Sequence, residues 1–179
     1  MGTGRGRRSG TSAVLGEAAR GVVGGAVGTG AMAFAARLRR EAYARRHGIA
    51  VSEIDEVLDY DDSEHVVVAA STLLDAVVGW APRSARGRHA LYWVVHWGYG
   101  SVVGATHVVL QRAFGREPAP GLVFLAGTQA MALGLFPVLG GTPPPWRWRR
   151  DLLRTSFVQH GIYAGGVAAT NALTARRAV

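Results

Sequence analysis

Two short stretches hold the residues whose types and spacing suit chemistry. "HWGYGSVVGATH" runs from His96 to His107, and "HGIYAGGVAATN" runs from His160 to Asn171. Aligned on their first histidines, Tyr99 meets Tyr163, Thr106 meets Thr170, and His107 falls opposite Asn171. Histidine titrates near neutral pH, so His96, His107 and His160 can take up and pass on protons. Their structural alternative is a hydrogen bond to the paired tyrosine or to a nearby carbonyl. Thr29, Thr128 and Gln129 share this double reading, as interhelical hydrogen bonds or as the lining of a polar path. Helical spacing places His96, Val103 and His107 on one side, with Tyr99 and Thr106 on an adjacent stripe. His96 and His107 stand 11 residues apart, about 16 Å along a helix, so they cannot hold one metal together. His96 and His160 could form a metal or axial haem pair only on facing helices, and no further ligand is evident. The expectation is therefore no metal and no cofactor. The chain lacks a nucleophile elbow, a phosphate loop, paired catalytic carboxylates, an HExxH motif and cysteine. These absences point away from an enzyme.

The elements that must carry these residues are apolar. Four windows lack Asp, Glu and Arg: 21–36, 91–111, 121–145 and 155–175. Each approaches the roughly 20 residues needed to cross a bilayer core. Four buried helices of a soluble bundle would need polar outer faces, which the last three windows hardly offer. The reading is an all-α integral membrane protein with transmembrane helices at 13–36, 90–113, 120–140 and 154–175. A basic tail (1–12), a polar connection (37–89) and a Pro/Arg-rich connection (141–153) complete the single membrane domain.

A second repetition supports a paired arrangement. "GTGAMA" (Gly28 to Ala33) in the first window recurs as "GTQAMA" (Gly127 to Ala132) in the third. Together with the histidine stretches, this makes the order A–B–A′–B′, two similar helical hairpins related by an axis along the membrane normal. It also favours a retained first span over a removable signal peptide, despite the basic start and the "AFA" that resembles a cleavage site. Gly21–Gly25, Gly24–Gly28, Gly100–Gly104 and Gly161–Gly165 have GxxxG spacing. Small residues four apart form a groove into which a second backbone can pack, within the chain or between subunits.

All 20 basic residues are arginine. They cluster beside the apolar windows, at Arg37, Arg39, Arg40, Arg45 and Arg46, then at Arg147, Arg149, Arg150 and Arg154. That pattern suits anionic headgroups better than nucleic acid. Excluding Arg20, the two connections together with the adjoining Arg154 hold twelve arginines and the opposite side seven, so the positive-inside rule places the connections inside. Trp80, Trp93, Trp97, Trp146 and Trp148 read as interface anchors. Glu17 and Arg20, one turn apart, are expected to pair. Within the long connection, "RLRREAYARRHG" reads as an amphipathic helix at the surface or a continuation of the first span. Seven carboxylates between Glu53 and Glu64 exclude a membrane environment there. "DYDDSEH" only superficially matches a calcium loop, lacking its central glycine and terminal glutamate. Val66 to Trp80 is expected to be a further amphipathic helix, with a re-entrant element facing Asp75 to a polar cavity as the alternative.

These positions resemble a known family. His96, Tyr99, Gly100 and Gly104, then Pro144, Pro145 and Arg147, then His160, Tyr163 and Gly165 are similar to the pattern of the YagU-like small bacterial inner-membrane proteins. The resemblance spans about residues 13 to 175 and implies a multi-pass inner-membrane protein of unassigned function. The acidic stretch around Asp55 to Glu64 departs from the family pattern. Two functional classes follow: a packing or accessory protein, as a homo-oligomer or a subunit of a membrane complex, or a small proton-linked transporter or channel.

Overall fold

In the computed structural model, the described residues are 5–54, 62–140 and 143–176, and all their regular elements are helical. The calcium-like reading of Asp59 and Asp61 lies outside the described residues. Seven α-helices are named here: α1 (Arg5–His47), α2 (Asp62–Val78), α3 (Ala85–Trp93), α4 (Gly100–Phe114), α5 (Ala119–Ala130), α6 (Phe136–Gly140) and α7 (Arg150–Arg176). A π-helical turn, Val94–Tyr99, joins α3 to α4, and a second, Met131–Leu135, joins α5 to α6.

Among the described residues, two stretches are long and apolar enough to cross a membrane, Ser12–His47 and Ala119–Leu139. The 43 residues of α1 extend about 65 Å. That is twice the thickness of a hydrocarbon core of about 30 Å, and Arg37 to His47 continues the helix past its uncharged stretch. The α3–α4 run is unbroken from Ala85 to Phe114. At its start, Ser84 Oγ accepts from the Gly87 N–H at 3.0 Å, satisfying a donor that the first turn leaves free. At its end, Gly115 adopts φ +82°, a conformation that glycine reaches without steric cost, and the chain turns toward α5.

α1 and α5 run parallel, and each packs against both α4 and α7, which run the other way. The glycines explain how α1 comes so close. A Cβ on Gly21 would lie 2.6 Å from the Ala105 Cα, and one on Gly25 would overlap the Gly100 carbonyl oxygen. Gly104 returns the contact against Gly25. On the adjacent face, Gly24 meets the Asn171 side chain and Gly28 meets Tyr163 and Val167. With no Cβ between them, the backbones gain dispersion contacts that lipid would not supply.

The small-residue pattern fails on α7. A Cβ on Gly161 or Gly165 would meet nothing within 4 Å, whereas one on Gly166 would lie 3.0 Å from the Gly28 Cα. The 3.6-residue period turns Gly166 toward α1 and leaves the GxxxG pair facing outward. Gly127 is likewise open, so it does not match the close contact of Gly28.

α2 covers only one half of the bundle. Its Val67 and Ala69 are buried with Val95 and Ala132, one from each π turn, and Tyr99, Met131 and Leu139 pack around them. Asp75 is exposed, so the re-entrant alternative with Asp75 in a polar cavity is corrected to a helix packed on the bundle. Both π turns lie in helices on which α2 rests, and neither has a counterpart in α1 or α7.

Candidate functional site

Polar side chains are buried among the apolar core residues, while many large apolar side chains are exposed. His107, Ser156 and Asn171 are fully buried, while Val102, Val109, Leu122 and Val158 are 61–64% exposed. Unsatisfied polar groups are expensive away from water, so each buried one needs a partner.

At the centre lies a pair drawn from the two aligned stretches. Asn171 Nδ2 sits 3.1 Å from His107 Nδ1. An amide nitrogen only donates, so Nδ1 accepts and the imidazole carries its proton on Nε2. That nitrogen lies 3.0 Å from Glu117 Oε1, close in distance but outside hydrogen-bond alignment. The ring of Phe124 closes the third side, edge-on to His107 at 5.3 Å.

Glu117 is held from several directions. Its Oε2 accepts from the Gly121 N–H at 2.9 Å, at the positive end of the α5 dipole. Its Oε1 also receives Gln111 Nε2 at 3.3 Å, and Gln111 Oε1 faces Arg20 Nη2 at 3.5 Å. Alongside, Arg112 pairs with Glu17. The expected Glu17–Arg20 pair is therefore corrected: Glu17 binds across to α4, and Arg20 turns to Gln111. A polar chain thus runs from the exposed end of α1 and α4 inward to Asn171.

Toward the other end, Tyr163 Oη donates to the Gly100 carbonyl at 2.5 Å. Gln129 Nε2 donates to Ser156 Oγ at 3.0 Å, and His160 Nδ1 lies 2.9 Å from the Ser156 carbonyl. Thr29 Oγ1 donates back to the Gly25 carbonyl at 2.9 Å, and Thr128 Oγ1 to the Phe124 carbonyl at 3.1 Å. The two threonines of the repeated phrase thus use their hydroxyls alike. Their methionines are also comparable, since Met131 Sδ accepts from Tyr99 Oη at 3.6 Å and Met32 packs on the cluster around Tyr163.

Several expected site residues lie elsewhere. Thr106 is exposed and spends its hydroxyl on the Val103 carbonyl at 2.7 Å; Thr170 does the same to Gly166 at 2.8 Å. Neither lines an interior path. The π turn also separates His96 from His107. A π turn adds a residue to the helical repeat, so the faces above and below it no longer coincide. His96 instead stacks on Tyr92 at 5.6 Å and meets Trp93 and Trp97 edge-on. It lines a half-open cavity of about 590 Å³ between α1 and this turn, into which Arg40 also faces. Ser156, Glu117 and Gln159, which is buried beside the His96 cavity, were missed from sequence. Their signal was present: Gln159 and Ser156 lie within an apolar window, and Glu117 sits directly between two of them.

Among the described residues no group of three or more His, Asp or Glu side chains is placed to hold a metal ion. No family model, curated protein or solved structure matches the chain.

Proposed function

We propose that this chain is a four-span bacterial inner-membrane protein, built of two similar hairpins, that acts as a non-enzymatic packing or accessory subunit. The observation that carries the reading is an apolar exterior around a core that also holds polar side chains. Buried Thr29, His107, Gln129, Ser156 and Asn171 each make at least one hydrogen bond inside, while Val27, Val102, Leu122 and Val158 of α1, α4, α5 and α7 face outward. In water that exterior would be unfavourable; in lipid it is the required solvent-facing surface. Support for the duplication comes from α1 and α5 each packing on α4 and α7, and from His107 meeting its aligned counterpart Asn171. Such pairing of equivalent positions is what a two-fold axis produces.

The accessory role is supported by the outward face of α7. Gly161 and Gly165 have open space beside them, where the helix of a second subunit, the same chain or another, can approach closely. The similarity to the YagU-like pattern fits this reading. The test is purification from the native membrane in mild detergent, with the mass and composition of the particle determined. A particle containing a second subunit supports the proposal; a lone monomer at every concentration contradicts the accessory role.

A second reading, a proton-linked carrier, draws on one feature. The Glu117–His107–Asn171 chain places a titratable ring between a carboxylate and an amide inside the bundle. Its test is proton uptake into liposomes by the wild type and by His107→Phe. Equal uptake in both refutes this reading.

A further inference from the structure

The half-open cavity of about 590 Å³ beside His96 is built from three parts of the bundle. α1 gives an apolar wall of Met32, Ala33 and Ala36. The π turn gives His96 and Trp97, with Trp93 just before it, and α7 gives Gln159. The rings are held in place by one another. His96 meets Trp93 and Trp97 edge-on, at 6.2 and 5.7 Å, and Trp93 Nε1 donates to His89 Nε2 at 3.0 Å. Gln159 is the polar member that packing does not explain. It is only 7% exposed, yet its amide makes no hydrogen bond among the described residues. A buried amide left without a partner is destabilising, and this one borders a space of the size that small ligands occupy. The two lining arginines already interact within the chain, Arg37 with Glu41 at 2.8 Å, so selectivity falls to the rings and to Gln159.

We propose that this cavity binds a neutral quinone headgroup from the bilayer, its ring beside Trp93 and Trp97 and one ring oxygen bonded to the Gln159 amide. Aromatic walls favour a flat ring, offset-stacked or edge-on. The amide can donate to a quinone carbonyl or accept from a quinol hydroxyl, so either form supplies the missing partner. An uncharged ligand suits a site whose unpaired polar group is itself uncharged, and a bilayer carries such ligands in solution. The proposal rests on the membrane reading above and adds a ligand site to it.

The test uses the full chain, purified in detergent and titrated calorimetrically with decylubiquinone. Phenyldecane, which has a ring and a tail but no oxygens, is the comparison ligand. The wild type is expected to show one saturable site for the quinone and binding of phenyldecane weaker by about tenfold or more. Gln159→Leu should weaken quinone binding by about tenfold while unfolding at the same or a higher SDS fraction, because the unpaired amide is gone. Thr106→Val, on the exposed face of α4, should bind as the wild type does. Ala33→Phe, which fills the apolar wall with Gln159 present, should lose the site and serves if Gln159→Leu fails to fold. Absence of saturable quinone binding in the wild type overturns the proposal. So does unchanged affinity in Gln159→Leu, full retention in Ala33→Phe, equal loss in Thr106→Val or equal binding of phenyldecane. Release of the chain from native membranes by alkaline carbonate would instead overturn the membrane reading, so the two failures are distinguishable.

Discussion

Gly28 and Gly127 hold the same place in the repeated phrase, yet alanine should affect them in opposite directions. A Cβ at Gly28 would lie 2.7 Å from the Tyr163 carbonyl oxygen, 2.8 Å from Val167 Cγ2 and 2.9 Å from Tyr163 Cδ2. Comfortable contact between such atoms requires about 3.5 Å or more, so α1 and α7 must separate by most of an ångström. Two of the obstructing atoms belong to a backbone carbonyl and a buried ring, which cannot rotate out of the way. Separation would also stretch the Tyr163 Oη bond to Gly100 and loosen the contact of Gly166 on the Gly28 Cα. Overpacking of this kind costs about 1–3 kcal/mol. At Gly127 a Cβ meets nothing within 4 Å, and alanine favours the helix by up to about 1 kcal/mol. Equilibrium unfolding of the purified protein in mixed detergent and SDS micelles, followed by helical circular dichroism, measures both. Gly28→Ala should unfold at clearly lower SDS fraction than wild type, and Gly127→Ala at the same or higher. Equal midpoints for the two variants would refute the packing argument.

Three further predictions use the same unfolding assay or its oligomeric counterpart. Tyr163→Phe keeps the ring on Phe124 but removes the bond to the Gly100 carbonyl, and should destabilise by about 0.6–2 kcal/mol. Asn171→Ala strips the donor from His107 Nδ1 and leaves that nitrogen buried, a loss of about 1–3 kcal/mol; an unchanged midpoint would show that water replaces the amide. Gly161→Leu/Gly165→Leu should leave the unfolding midpoint near wild type while shifting the particle to lower mass in light scattering, since both positions face outward. Loss of folding with retained mass would place those glycines inside the subunit instead.

Periodicity carried the long elements well because apolar windows and helical glycine spacing act locally. The first and fourth windows lie within α1 and α7, the third begins in α5 and runs through its continuation to Gly140, and the Gly21/Gly25 and Gly100/Gly104 pairs meet as spacing suggests. The exact faces were harder to read. On α7, spacing pointed to Gly161 and Gly165, whereas Gly166 is the glycine that lies against Gly28 of α1. The π turn at Val94–Tyr99 shifted His96 out of register with His107, and nothing in a fixed 3.6-residue wheel announces such a turn. The partner of His107 was also concealed, because Glu117 lies in a short connection whose direction depends on how α4 and α5 close. For the same reason Glu17 was matched to its own helix rather than to Arg112 across the interface.

The proposed fold has four spans, with the connections on one side and Phe114 to Pro118 on the other. The chain contains no cysteine, so single cysteines can be read without background. Ser52→Cys, Arg147→Cys, Arg116→Cys, Val109→Cys and Leu122→Cys, each probed with a membrane-impermeant maleimide in spheroplasts and in inverted vesicles, give the most direct measurement. The expected result is labelling of Arg116→Cys only in spheroplasts, of Ser52→Cys and Arg147→Cys only in inverted vesicles, and of Val109→Cys and Leu122→Cys in neither. Labelling of Val109→Cys and Leu122→Cys as readily as Ser52→Cys, or of Arg116→Cys from the same side as Arg147→Cys, would contradict it.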